Sequence, residues 1–484
     1  MKLNDPKLLC TKAYINGAWK QSLSGDHFDV LNPANGETIA KVEKCGQAET
    51  AEAIKAAEQA FASWRATGAK ERSALLMIWH DLIVANIDDL AMILTIEMGK
   101  PLAESRGEIA YGANYVKWFA EEAKRIYGDT IPSPAPDKRV VVIKQPIGVV
   151  ACITPWNFPN AMLARKIAPA LAAGNTVVCK PANETPLSAL ALGELATRAG
   201  IPAGVINILC GITSEIGAEI TSNPTVRKLS FTGSTGVGKT LTAACAQTMK
   251  RTSMELGGNA PYIVFDDADL DEAVSGVMAC KFRNAGQTCV CANRIFVQSG
   301  IYDAFMKRFK ETTQALKIGD GREDSVEIGP LVNARAAAGV RDIITDAVAK
   351  GAKLVTGGID AIEAGENFIA PTILTDVTTE MRVFNDEIFG PVAPVFKFDT
   401  EDEVIALAND TPFGLAAYFY ARDIGRVWRV SEKLEYGMVG INTGAISNEM
   451  APFGGVKESG QGREGSKYGL DDYMEIKSLT MGGI

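Results

Sequence analysis

Histidine is almost missing from this chain of 484 residues: only His27 and His80 occur, both in the first fifth and outside any glycine-rich or cysteine-bearing loop. That argues against a Ser-His-Asp triad, a zinc hydrolase and a histidine-based redox site, and leaves acid-base work to Glu, Asp, Lys, Tyr or Cys. An excess of positive charge is missing too. The formal net charge of -9 argues against bulk attraction to nucleic acid or to an anionic membrane surface. No stretch approaches the ~20 apolar residues of a membrane span, and the N-terminal MKLNDPKLLCTKAYINGAWK has no apolar core of leader length. A cytoplasmic location is the expectation. The nine cysteines are an odd number without the paired spacings of a zinc site or of a secreted disulfide framework, so reduced thiols and no metal are expected. Internal repeats and low-complexity tracts are absent as well.

What is present, 47% hydrophobic and 22% charged residues, suffices for about three domains of ~150 residues each. Residues 46 to 126 are alanine-rich with apolar positions at three and four spacing, which predicts helices. The proline-bearing GDTIPSPAPDKRVVVIKQPIG then predicts an exposed turn and a strand that pairs outside the main body. From Gly148 to Leu256, β-branched strands alternate with helical segments of ten to fifteen residues (GVVACITP, TVVCKP, VINILCG, VRKLSFT, RTSMEL), the pattern of a doubly wound parallel sheet. Such sheets bind ligands at the carboxyl ends of their strands. The pattern restarts after Pro261 with YIVFDD and extends to about residue 456, predicting a second α/β domain. A glycine-rich FGGVKESGQGREGSKYG follows, then a short terminal strand, EIKSLTMG.

One stretch, GSTGVGKT from Gly233 to Thr240, satisfies the phosphate-cradling pattern of nucleotide hydrolases, and the acids ending YIVFDD mimic a magnesium-holding strand. A second reading needs only the glycines. A turn between a buried strand and a helix lets a phosphate approach backbone N–H groups at the positive end of the helix. On that reading Gly233 and Ser234 matter, while Lys239 and Thr240 are ordinary helix residues.

The loop NAGQTCVCANR places Cys289 and Cys291 among small residues between a helix and a strand. Buried, inert thiols are one reading. The other is a nucleophile, which needs room for a substrate, backbone donors for an oxyanion and a base. MELGGNAP offers that base: Glu255 ends an apolar strand before two glycines, where partial desolvation would raise its pKa. An exposed edge carboxylate is the alternative. The strings PWNFP (155–159), FTGST (231–235), MELGGNAP (254–261), GQTC (286–289), EIFGPV (387–392) and PFGG (452–455) occur in the order and at about the spacing of the aldehyde dehydrogenase superfamily. The chain resembles that superfamily over essentially its whole length.

The resemblance implies an α/β subunit in three parts: a Rossmann-type parallel-sheet dinucleotide-binding domain (1–126 and 148–260), a second α/β catalytic domain (261–456) and a β oligomerisation arm (127–147 and 457–484). Cys289 would attack the aldehyde carbon, with the oxyanion held by the Asn157 side-chain amide and the Cys289 N–H. Hydride loss to a nicotinamide would leave a thioester, which Glu255 would hydrolyse through water. Glu387 and Phe389 would hold the nicotinamide ribose side. Trp156, Gly233 and Ser234 would lie near the pyrophosphate, with Leu256 in the same cofactor-binding set. Lys180 would contact the adenosine ribose. Asn183 stands where NAD-preferring relatives tend to carry a glutamate, which favours NADP, with NAD as the fallback because Glu184 is adjacent.

Among these enzymes the chain is most similar to succinate semialdehyde dehydrogenases. Arg165, Arg283 and Ser447 match the arginine, arginine and serine that would hold a distal carboxylate bidentately. Solvated surface arginines are the alternative. The implied reaction is oxidation of succinate semialdehyde to succinate in 4-aminobutyrate degradation. Glutarate semialdehyde, one methylene longer, or a general aliphatic aldehyde is the alternative. The resemblance further implies a homotetramer built as a dimer of dimers, and a Cys291 able to form a reversible disulfide with Cys289 in a mobile loop. A nucleotide hydrolase and a non-catalytic thiol scaffold are the readings from other classes.

Overall fold

A computed structural model describes residues 2–360, 362 and 364–484. Its backbone is organised by two large sheets. The first has eight strands, in the order Gly460–Gln461, Arg251–Glu255, Val226–Thr232, Val149–Ile153, Thr176–Lys180, Ile206–Ile208, Ala13–Ile15, Ala18–Lys20. The five strands between residues 149 and 255 pair parallel, and antiparallel strands close both edges. The second has seven strands, with Ala292–Gln298, Ala260–Val264 and Ala416–Tyr420 at its centre, paired parallel.

Strand periodicity explains why both sheets are filled on two faces. Val150, Cys152, Val177 and Cys179 pack into one apolar cluster, and the alternate residues Val149, Ala151 and Val178 into another. In the second sheet Tyr262, Val264, Ile295 and Val297 face one cluster, while Ile263, Phe265 and Phe296 face the other. Central parallel strands with helices on both sides have no solvent face, hence the near-continuous apolar runs read from the sequence.

The helical reading of 46–126 resolves into Gln47–Ala66, Ala69–Ala85, Ile87–Met98 and Leu102–Glu122. Gly99 closes the third of these in the left-handed region, φ 95°, where a side chain would be strained. Short strands before residue 46 (His27–Leu31 with Thr38–Glu43, and the antiparallel pair at 13–20) had no counterpart in the sequence reading.

Lys138–Pro146 does pair outside the two large sheets, between Asp129–Ile131 and Met474–Gly482. Of residues 457–484 only Met474–Gly482 runs in this small sheet, whereas Gly460–Gln461 pairs antiparallel with Arg251–Glu255. Glycine permits the return: Gly460 has φ 120° and lies so close to the Met254 carbonyl that any Cβ would collide with it.

The candidate active site

The carboxyl ends of Val149–Ile153, Val226–Thr232 and Arg251–Glu255 lie in register, with Ile153 beside Phe231 and Thr232 beside Glu255. The loops that follow therefore meet at one edge of the first sheet, as expected for a doubly wound fold. They carry Trp156 and Asn157, Gly233 and Ser234, and Leu256. The loop between Leu270–Lys281 and Ala292–Gln298 brings Cys289 against them from the second sheet. Cys289 is partly exposed, and it lines two cavities at once.

The first, of about 250 Å³, is also lined by Trp156, Asn157, Gly233, Ser234, Leu256, Glu387 and Phe389. Trp156 and Phe389 stand edge to face with centroids 5.5 Å apart, and Phe389 holds a positive φ of 53°. Glu387 Oε1 accepts from the Gly258 N–H at 2.9 Å. Burial pushes the Glu387 carboxyl up to about 7, against that hydrogen bond. Ser234 is the N-cap of helix Thr235–Ala246 and makes no side-chain cap hydrogen bond, so the first-turn N–H groups of this helix, at the end of strand Val226–Thr232, have no capping side chain. A Cβ on Gly233 would meet the Phe231 ring at 2.5 Å, which makes the bare backbone a packing requirement there. These features fit a dinucleotide: a helix terminus for phosphate, an acid for a ribose and an aromatic pair beside a flat ring.

The second cavity, of about 230 Å³, is lined by Phe158, Met162, Arg165, Arg283, Ser447 and Phe453, and by Glu104, Glu108 and Tyr111 of helix Leu102–Glu122. All three residues expected to hold a carboxylate are brought together, but Arg165 is no surface arginine. It is fully buried, its Nε is 2.5 Å from Glu464 Oε2, and it lies between the rings of Tyr115 and Phe453 at 4.9 and 4.1 Å. Burial opposes its charge, but Glu464 and the two tyrosines hold its pKa above the ordinary value. Arg283 is exposed and sits over Phe158 at 5.3 Å.

Between the cavities, Asn157 is buried, and its Nδ2 donates to the Gln287 carbonyl at 3.0 Å. The Cys289 N–H has no acceptor among the described residues. Burial drives the Cys289 thiol up to about 12, Glu387 and Glu255 adding to the shift and Arg165 and Arg283 opposing it. Glu255 is also buried, with neither carboxyl oxygen hydrogen-bonded. Burial first, then the charge of Glu464, raises its pKa well above the carboxylate range. It lines neither cavity and lies against Gly454, whose Cβ would fall 3.0 Å from its Oε1.

Lys180 and Asn183 are not brought to either cavity. Lys180 Nζ donates to the Pro181 carbonyl at 3.2 Å. Asn183 bonds the Gly211 backbone with both ends of its amide, at 2.7 and 3.2 Å. Cys291 is buried and receives a hydrogen bond from Lys281 Nζ at 3.3 Å. Lys239, the conspicuous lysine of the hydrolase-like string, forms an exposed ion pair with Glu458 at 2.8 Å, outside both cavities.

Sequence reasoning passed over Glu464, Lys166, Lys100, Glu108 and Tyr111. Glu464 joins two buried cations, Arg165 and Lys166, the latter at 2.5 Å. Burial works against its charge, but those two cations hold its pKa below the ordinary value. Glu104, Glu108, Tyr111 and Tyr115 are spaced four, three and four along one helix, a signal that would have placed them on one face.

A thiol shared by a cavity whose lining fits part of a dinucleotide and by a cation-lined cavity is the arrangement of a nucleotide-dependent oxidoreductase. The chain belongs to the aldehyde dehydrogenase family, whose model matches residues 19–479. It is 61% identical to a glutarate-semialdehyde dehydrogenase of Pseudomonas aeruginosa, over all of both chains. It is 60% identical to the succinate-semialdehyde dehydrogenase [NADP(+)] GabD of Escherichia coli, again over all of both. A solved NADP-dependent enzyme of E. coli, 59% identical, superposes with a TM-score of 0.99 over 99% of this chain and 100% of its own. No helix among the described residues is long and apolar enough to cross a membrane.

Proposed function

We propose that the protein oxidises a short semialdehyde with a distal carboxylate, succinate semialdehyde to succinate, with NADP preferred over NAD. The observation that carries this is the double position of Cys289, on the cavity of Arg165, Arg283 and Ser447 and on the cavity of Trp156, Gly233, Ser234, Leu256, Glu387 and Phe389. The arginine side takes the carboxylate and leaves the aldehyde carbon at the sulfur. Cys289 Sγ adds to that carbon as its thiol proton passes to water in the cavity. The oxygen that becomes negative is received by the Cys289 N–H, which has no other acceptor, and by the Asn157 amide. Trp156, Gly233, Ser234, Leu256, Glu387 and Phe389 would hold a nicotinamide dinucleotide, which would supply the acceptor for the hydride lost from that carbon and leave an acyl group on the Cys289 sulfur. Glu255 then takes a proton from water as the water adds to the acyl carbon, and the C–S bond breaks to release the acid. For this, Glu255 turns from Gly454 toward the sulfur.

NADP is favoured because position 183 is an uncharged amide held on Gly211, so no carboxylate there opposes a 2′-phosphate. The E. coli relative carries NADP(+) in its name. Lys180 and Asn183 belong to the adenosine end, beyond the cavity at Cys289. Glutarate semialdehyde is the second reading, favoured by the P. aeruginosa relative. We assign the enzyme to the cytoplasm and its working form to a tetramer of paired dimers, with domains as divided above except for residues 457–473.

The deciding experiment offers purified protein succinate semialdehyde, glutarate semialdehyde and the uncharged butanal, each with NAD and with NADP, and follows absorbance of the reduced cofactor. Preference for succinate semialdehyde with NADP is expected. Faster turnover of an uncharged aldehyde of equal length overturns the carboxylate assignment.

A further inference from the structure

Tyr111 stands on the wall of the Cys289 cavity although no motif of the sequence includes it. Its hydroxyl lies 3.2 Å from Arg165 Nη1 and 3.3 Å from the Tyr115 hydroxyl. Protons can be assigned along this row. A guanidinium only donates, so Tyr111 Oη accepts from Arg165. Tyr115 gives its single proton to the Asn448 carbonyl, 3.2 Å away. Among the described residues the Tyr111 proton then has one acceptor, the Tyr115 oxygen at a long 3.3 Å, and a cavity beside it. A hydroxyl already polarised by a guanidinium is a stronger donor, and an anionic oxygen is a better acceptor than a neutral phenol.

The charge around this hydroxyl favours an anion. Glu464 is the single carboxylate paired with both Arg165 and Lys166, which leaves that cluster with a surplus positive charge. The two acids on the cavity wall have other partners: Glu108 is bound by Lys100 Nζ at 2.6 Å, and Glu104 accepts the Asn284 N–H at 2.8 Å.

We infer that Tyr111 is a specificity-determining residue, whose hydroxyl, held by Arg165, donates a hydrogen bond to the distal anionic group of the substrate. It thereby adds to the preference for charged over uncharged aldehydes. The inference rests on the carboxylate reading of this cavity and names one further donor for it.

The test is Tyr111→Phe in the full-length enzyme, with kcat and KM measured for succinate semialdehyde and for butanal, which has the same carbon chain and no charge. The ratio of the two kcat/KM values should fall about 10- to 100-fold, the factor carried by a hydrogen bond to a charged group. The loss should lie in KM for the charged substrate, and inhibition by succinate should weaken by a similar factor. Both substrates are read on one preparation, so any loss of folded protein cancels from the ratio. An unchanged ratio, whether both activities fall or neither does, overturns the inference. A wild-type enzyme that does not prefer succinate semialdehyde over butanal overturns instead the carboxylate reading beneath it.

Discussion

A carboxyl with a raised pKa and no hydrogen-bond partner is a base that must first lose a proton to act. Glu255 is in this state, so turnover should climb as pH rises through its pKa, the direction opposite to that of a group needed protonated. Glu255→Gln should lower kcat by about 10²–10⁴-fold and flatten that climb. With the thiol proton passing to water, acylation proceeds without this base, and the variant should still give a rapid burst of reduced cofactor before slow turnover. Loss of the burst along with the steady rate would instead place Glu255 in the first step. At Cys291, the Lys281 contact must break before sulfur reaches Cys289. Peroxide should inactivate wild type reversibly by dithiothreitol and Cys291→Ala irreversibly; equal behaviour of the two would remove Cys291 from redox control. Cys289 and Gly233 were legible in the sequence because each lies in a short string of small residues with its own backbone requirement, and Asn157 and Glu387 were named only through the resemblance of their strings to those of the family. Glu464 and Tyr111 were not legible. Their neighbours are created by contacts between positions 165 and 464 and between 111 and 165, and no local pattern encodes those distances.

At the scale of elements, helix Pro159–Ala173 is held by a carboxylate from another helix. Glu108 Oε1 accepts from the Asn160 and Ala161 N–H groups at 3.0 and 3.2 Å, satisfying orphan donors of the first turn. Its other oxygen binds Lys100 Nζ at 2.6 Å, and the same ammonium donates to the Asn157 carbonyl at 2.7 Å. Lys100 therefore ties the helix start to the loop that carries the oxyanion amide. Lys100→Met leaves Glu108 buried and unpaired, which should cost about 3–5 kcal/mol in stability. Adding Glu108→Gln should recover part of it, as chemical denaturation of the single and double variants would reveal. Additive losses would mean that the pair is not coupled. The long helices and the central strands were readable from the sequence because burial imposes a strict period over many residues. The strands of three to six residues before residue 46 were not, because too few positions alternate to show one.

On the scale of the whole molecule, the small sheet is the part that the chain leaves with an open edge. Met474–Gly482 is its outer strand, nine residues long, paired on one side only with Lys138–Pro146. Ile476 is 73% exposed, and Leu479 and Met481 are also exposed, on the opposite face by strand alternation. A three-stranded sheet with apolar residues bare on both faces and an open edge is a surface that another chain would cover. The edge strand Met438–Ile441 of the seven-stranded sheet is likewise paired on one side only. If the arm is an assembly surface, charges at its apolar positions should release subunits without unfolding them. The double variant Ile476→Glu, Leu479→Glu should sediment as a species smaller than wild type while its far-ultraviolet circular dichroism stays the same. These positions lie outside both Cys289 cavities, so any loss of turnover should follow the loss of assembly, read by whether activity depends on protein concentration. A wild-type protein that sediments as a monomer, or a variant that keeps the wild-type mass, would mean that the sheet projects into solvent and that its bare isoleucine and leucine serve some other contact.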